Sequence, residues 1–380
     1  MEKKENSFKK AIKEFERINS LGYRDLLSRF KNERVLIGLF CPYVPVELIH
    51  ASGALPLRLI GVSPPMSHVH PHLPNHCCYL VRSSLESLLR GELNEIKYII
   101  FTHTCDSMQG FSEIWAFQKK LPRPYHFMMP TRLGGEESKI FLRSEIERLK
   151  TFLDSEVGEV DFFCLKRSIK LFNRIREKVE RLYNQKKSTS SLSEKNFAEI
   201  LRASCLMEPE DFLEHLESLL SSLAGEGGKE KEGRVPILVT GNMVHSPSYF
   251  SLIEEAGGEV VWDNLCSGAR WLKLKTREEG DSIEALTERY FSLYLCPTKH
   301  RGAEDPLTSI LKEVENYGAK GVLFLLYKYC ESHFFDYPDL KEELESKGIP
   351  SLLIEVDDPS ASSGQVKTRI QAFLEMLKPF

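Results

Sequence analysis

No apolar stretch of this 380-residue chain approaches the roughly 20 residues that a bilayer crossing requires. The opening run, MEKKENSFKK, is charged and leads into an amphipathic segment rather than an apolar signal core. These absences give the expectation of a soluble, cytoplasmic protein with no membrane partner. Charge of one sign is also lacking. Lys and Arg number 51 against 55 Asp and Glu, and the net charge of -4 leaves no electrostatic footprint for nucleic acid. GxxxxGK[ST] does not occur, and no GxGxxG lies between a strand and a helix, so no phosphate cradle is encoded. Without a GxSxG elbow, a serine hydrolase of the α/β type is unsupported. Cysteine pairs at zinc-site spacing are missing as well; the only close pair is the adjacent Cys77 and Cys78.

What the chain does have is nine cysteines. Their odd number, wide spacing and the absence of an export signal argue against a disulfide framework. In a reducing compartment they are buried small groups, nucleophiles or metal ligands. Cys164 and Cys205 lie in helical, charge-rich sequence and read as core or incidental residues. Around the cysteines, short apolar runs alternate with helical patterns, the signature of parallel α/β layers. The strand candidates are Arg34 to Phe40, Leu55 to Ile60, Tyr98 to Phe101 and Tyr125 to Met129, then Val235 to Thr240, Glu259 to Trp262, Gly321 to Leu326 and Ser351 to Ile354. Phe8, Ile12 and Phe15 make one stripe of a first helix, and Val366, Ile370, Phe373 and Leu377 one side of a last. Between the strand groups the sequence is charged and helix-periodic, and GEGGKEKEGR, ending at Arg234, reads as an exposed linker. The expected organisation is an N-terminal α/β domain with a leading helix over 1–136, a helical segment over 137–225 and a C-terminal α/β domain over 226–380, each α/β part being a Rossmann-like (flavodoxin-like) parallel sheet.

Four cysteines fall at or just past the carboxyl ends of these strands: Cys41, Cys105, Cys266 and Cys330. Ligands of open α/β sheets bind there. Cys78 sits at a helix start, where backbone N–H groups favour a thiolate, and Cys296 precedes a proline in a loop. Core cysteines favour strand interiors and helix faces, which these six avoid. Dispersed thiolates gathered by a fold suit an iron–sulfur cluster better than a zinc ion. Gly110 and Gly268 flank the sites and offer close backbone approach, and Arg270 and Lys328 are placed near ligands to offset charge. His50, His103, His126, His333, Glu47 and Glu331 are candidate proton donors, of which His103 and Glu331 are best placed in sequence. The stretch SHVHPHLPNHCC reads as a mobile loop.

The runs FCPYVPVELIHASGALPLRL, CCYLVRSSLE, THTCDSMQGFSEIW and GIPSLLIEVDDPSASSGQVKTRIQAFLEML resemble, in order, motifs of the 2-hydroxyacyl-CoA dehydratase and benzoyl-CoA reductase superfamily. The resemblance implies two Rossmann-like domains with an iron–sulfur cluster between them. It also implies a partner, a separate ATPase activator with its own 4Fe–4S cluster that injects low-potential electrons. Three cluster cysteines of the dehydratase subunits correspond to Cys78, Cys105 and Cys330. The additional Cys41, Cys266 and Cys296 resemble the pattern of the double-cubane cluster proteins, homodimers whose 8Fe–9S cofactor is held by six thiolates per subunit. On that resemblance the ligands are Cys41, Cys78, Cys105, Cys266, Cys296 and Cys330, with Cys78 favoured over Cys77. The activity implied is ATP-dependent reduction of a small substrate. The alternatives are a 4Fe–4S dehydratase subunit acting as a lyase, and a non-catalytic electron-transfer protein.

Overall fold

The structure, a computed structural model, describes residues 2–30, 33–61, 66–119, 122–187, 189–224, 233–242, 246–293, 296–300, 306–357 and 363–378. Two four-stranded sheets organise it. Leu36–Leu39 (β1), Leu55–Arg58 (β2), Ile96–Thr102 (β3) and Arg123–Phe127 (β4) lie in the order β2-β1-β3-β4. Val235–Gly241 (β5), Gly258–Asn264 (β6), Gly321–Tyr327 (β7) and Ser351–Val356 (β8) repeat that layout as β6-β5-β7-β8. Every pairing is parallel, with Leu36 beside Leu55 and Tyr98 beside Arg123 in one sheet, and Ile237 beside Gly321 in the other. Strands covered on both faces read as unbroken apolar runs, and VLIGLF, YIIF, ILV and GVLFLL are such runs. Every expected strand is present, with ends moved by a few residues.

The helices begin with Glu2–Ser20 (α1) and Tyr23–Ser28 (α2), followed by Val46–Ala51 (α3), Tyr79–Leu89 (α4) and Asp106–Phe117 (α5) between the first strands. Glu136–Glu156 (α6), Phe162–Lys186 (α7), Glu194–Ala203 (α8) and Pro209–Leu223 (α9) form the expected helical stretch. Pro247–Glu255 (α10), Ala269–Leu272 (α11), Ser282–Phe291 (α12), Pro306–Tyr317 (α13), Glu331–Ser346 (α14) and Ser363–Leu377 (α15) accompany the second sheet. No helix among the described residues is long and apolar enough to cross a membrane. Most of the glycine-rich linker, 225–232, lies outside the described residues.

Two devices tie the sheets together. The first is α7, which packs on α3 from the first half and on α11 and α12 from the second. At that junction the wholly buried Glu47 accepts from Arg176 Nη2 (2.6 Å), Tyr290 OH (2.8 Å) and Thr276 Oγ1 (3.4 Å). The second is a parallel bridge between Arg132 and His300. Leu133 N–H donates to His300 O (2.7 Å) and His300 N–H to Thr131 O (2.8 Å). The bridge pins a loop of the second half onto the end of β4. The histidine-bearing loop, expected to be mobile, is instead fixed at its start. The backbone N–H groups of Ser67, His68 and Val69 and the His68 ring all meet the buried Glu86 carboxylate at 2.8–3.1 Å.

Candidate metal centre

In a 2-1-3-4 parallel sheet the chain departs in opposite directions from the first and third strands, and a crevice opens between their carboxyl ends. Cys41 follows β1 and Cys105 follows β3; Asn242 follows β5 and Cys330 follows β7. The two crevices meet in one cavity of about 110 Å³. Cys41, Cys78, Cys105, Cys266, Cys296 and Cys330 all line it, with Phe40, Leu80, Val81, Met108 and Tyr327 as apolar wall. The remaining cysteines do not. Cys77 is buried beside the cavity, Cys164 is half-buried on α7, and Cys205 is buried with its Sγ 3.8 Å from Arg58 Nη1.

The sulfurs fall into two sets by the elements that carry them, although Cys105 also neighbours Cys296 and Cys41, and Cys330 neighbours Cys266. Cys78, Cys105 and Cys330 neighbour one another, and each is the N-cap of a helix: α4, α5 and α14 respectively. Free N–H groups of the first helical turn point at such a position. The N–H groups of Leu80 and Val81 lie near the Cys78 sulfur, that of Met108 near Cys105 and that of His333 near Cys330, none of them closing a hydrogen bond to sulfur. Tyr329, at φ 64, turns the chain between β7 and α14 and so aims Cys330. The second set, Cys41, Cys266 and Cys296, comes from loops after β1, after β6 and after α12. Here side chains meet sulfur: Arg270 Nη1 donates to Cys266 Sγ at 3.2 Å, and Cys296 Sγ lies 3.1 Å from Thr298 Oγ1. Gly268 is required beside Cys266, because a Cβ there would fall 1.9 Å from Asp263 Oδ1. Gly110 has no such role, since nothing lies within 4 Å of its Cβ position on α5.

Burial pushes the Cys41, Cys78, Cys105 and Cys330 thiols up to about 12, neighbouring thiols adding to it, and raises Cys296 as well. A thiolate in this cavity therefore needs a strong positive counter-charge, such as metal. Among the described residues no three His, Cys, Asp or Glu side chains converge closely enough to hold a metal ion. A donor set made of sulfur and spread around one cavity has the soft-ligand chemistry that iron–sulfur sites use.

His333 is the imidazole that reaches the cavity. Its Nε2 donates to the Gly241 carbonyl (3.1 Å), which can only accept, so Nδ1 faces Cys330 Sγ (3.3 Å) as the unprotonated nitrogen. Burial first, then the Arg270 charge, bring His333 down to about 3 and keep it neutral. His103 and Glu331 are not among the lining residues. His103 packs against His126 with ring centroids 5.7 Å apart, and Glu331 is exposed on α14. His50 bonds Ser168 and Glu210, away from the cavity. Lys328 is half-exposed and 4.0 Å from Asp357, so its charge is spent there. A basic residue that sequence reasoning missed is Lys299, 7% exposed, whose Nζ lies 3.4 Å from Met129 O and whose titratable neighbours are Cys296, Cys41 and Cys105. Its only signal was a lysine three residues beyond Cys296 in CPTKH.

The profile of the family described as "2-hydroxyglutaryl-CoA dehydratase, D-component" matches residues 41–377, from the first cavity cysteine to the end of the last helix. The chain belongs to this family. It is 25% identical to lactoyl-CoA dehydratase subunit beta of Anaerotignum propionicum, over 90% of this chain and 91% of that protein. It is likewise 25% identical to (R)-2-hydroxyglutaryl-CoA dehydratase, subunit beta, of Acidaminococcus fermentans, over 96% and 98%. A benzoyl-CoA reductase subunit of Thauera aromatica is 21% identical over 91% of both chains. These relatives are components of dehydratases and reductases, and family membership agrees with the motifs quoted above.

Proposed function

We propose that this chain is the iron–sulfur component of a reductase. It holds an 8Fe–9S double cubane on Cys41, Cys78, Cys105, Cys266, Cys296 and Cys330, and receives low-potential electrons from a separate ATP-hydrolysing activator that carries its own 4Fe–4S cluster. The observation that carries this reading is the convergence of six thiols, in two sets of three, on one cavity with no carboxylate among its described lining residues. When bound, such a cluster supplies electrons one at a time at low potential. The chain's own groups do the rest. Phe40, Leu80, Val81 and Met108 keep water from the sulfurs. Helix N-termini and Arg270 compensate the thiolates. His333 keeps its proton on Nε2, directed at Gly241 O and away from Cys330. The lack of an encoded phosphate cradle supports nucleotide hydrolysis by another polypeptide. A cytoplasmic homodimer acting on a small molecule completes the proposal, with His103 and Glu331 kept as proton donors from outside the cavity wall.

The relatives' names favour a second reading, a dehydratase subunit in which only Cys78, Cys105 and Cys330, the three helix-capping thiols, hold a single 4Fe–4S cluster. Iron and acid-labile sulfide on anaerobically purified protein decide between them. About eight iron per chain is expected for the double cubane and about four for the lyase, and a chain that takes up none ends both readings.

A further inference from the structure

The six-thiol cavity is compensated unequally on its two sides. Around Cys78, Cys105 and Cys330 the positive ends are backbone N–H groups at three helix starts, each worth about half a charge. Two of those helices carry an acid in the first turn, Asp106 and Glu331, which offsets part of that effect. Arg82, the cation nearest Cys77, is paired with Asp357 at 2.6 Å. Around Cys41, Cys266 and Cys296 stand two buried basic side chains, Arg270 and Lys299, the second drawn down by burial and held up by the neighbouring sulfurs. Arg270 is 6% exposed; one arm donates to Cys266 Sγ, its Nε has no partner, and no carboxylate among the described residues pairs with it. Lys299 stands by Tyr43, its Nζ 5.8 Å from the ring centroid, with carbonyl and sulfur as its other neighbours. A buried guanidinium without a paired carboxylate is costly unless other anions answer it; Asp263 and Glu313 feel the Arg270 charge from farther off, and the group its arm touches is the Cys266 sulfur.

We propose, resting on the iron–sulfur reading above, that Arg270 assisted by Lys299 sets the reduction potential of the bound cluster and draws the first added electron to the side held by Cys41, Cys266 and Cys296. The step is a gain of one electron from an external low-potential donor; no bond forms or breaks, and the new negative charge is drawn toward the nearer fixed cations, since Coulomb attraction weakens with distance. Arg270 is thus a positioning residue. It acts through charge on the sulfur side of the site and touches no substrate.

The test is a potentiometric titration with dithionite, followed by electron paramagnetic resonance, of anaerobically reconstituted protein with iron content measured in parallel. Arg270→Met is expected to be at least tenfold harder to reduce by one electron, a midpoint lower by about 59 mV or more. Lys299→Met should move the same way by less, and Arg270→Lys should recover most of the loss. Arg82→Met, which removes a cation already paired and near water, should move the midpoint least. Unmoved midpoints in Arg270→Met and Lys299→Met at wild-type iron content overturn this proposal alone, as does an Arg82→Met shift equal to that of Arg270→Met. Should Arg270→Met take up no iron, Lys299→Met decides in its place. A wild-type chain that takes up no iron instead overturns the preceding reading, and this proposal with it.

Discussion

Glu47 is a carboxylate with no access to water, held between cations from two other helices. Burial by itself would raise it. The Arg176 and Arg289 charges, with hydrogen bonds from Arg176 and Tyr290, outweigh that and hold it down at about 2. Its unfolded value is about 4.3, so the stabilisation is complete above that pH and is lost as pH falls from there toward 2. Glu47→Gln leaves Arg176 and Arg289 buried without their anion, and the expected cost is about 3–5 kcal/mol. Urea unfolding at pH 7 and pH 3 checks both statements: wild type should weaken at the lower pH, and the gap between wild type and variant should narrow. In sequence Glu47 was a candidate proton donor near a site cysteine. The structure makes it the anion of the junction between α3, α7 and α12, because its partners come from residues 176, 276 and 290, which sequence proximity to Cys41 does not reveal.

Among the elements, the loop carrying Cys296 depends on a bridge rather than on a helix. Thr298 and Lys299 follow the cysteine, and His300 then pairs with residues 131–133. His300→Pro removes the N–H that donates to Thr131 O. On the double-cubane proposal, the variant is expected to keep the helix-capped set and to lose iron from the other, falling from about eight iron per chain toward about four. Iron analysis with circular dichroism, which should show unchanged secondary structure, reads this out. The same contrast explains what was legible beforehand. The inner strands β1, β3, β5 and β7 announced themselves because a strand covered on both faces is apolar nearly throughout, whereas the edge strands β4 and β8 are only partly buried. Cys78, Cys105 and Cys330 stood at helix starts or strand ends that short-range pattern marks. Lys299 and the Arg132–His300 bridge were invisible, since they arise from pairing between residues about 170 apart, which no local pattern encodes. His333 was one candidate among several, and the turn at Tyr329, which leads into α14, brings its ring to Gly241 at the end of β5 and to Cys330.

At the scale of the whole molecule, each set of sulfurs spans both sheets. Cys41 stands with Cys266 and Cys296, and Cys78 and Cys105 stand with Cys330. Anything bound to either set therefore joins the two halves, and binding to the folded state alone stabilises it. Removing iron under anaerobic conditions is expected to speed amide exchange at Leu133 and His300, whose hydrogen bonds cross the divide, while Ile99 and Leu323 inside the sheets stay protected. Hydrogen–deuterium exchange by mass spectrometry checks this, and equal rates with and without iron would contradict it. The spanning arrangement also sets a timetable for synthesis. A ribosome delivers the chain from the amino end, and the first sheet emerges with three of the six thiols and neither trio finished. One trio closes only when residue 296 has been made and the other only at residue 330, so insertion of the proposed cluster would have to wait for almost the entire polypeptide.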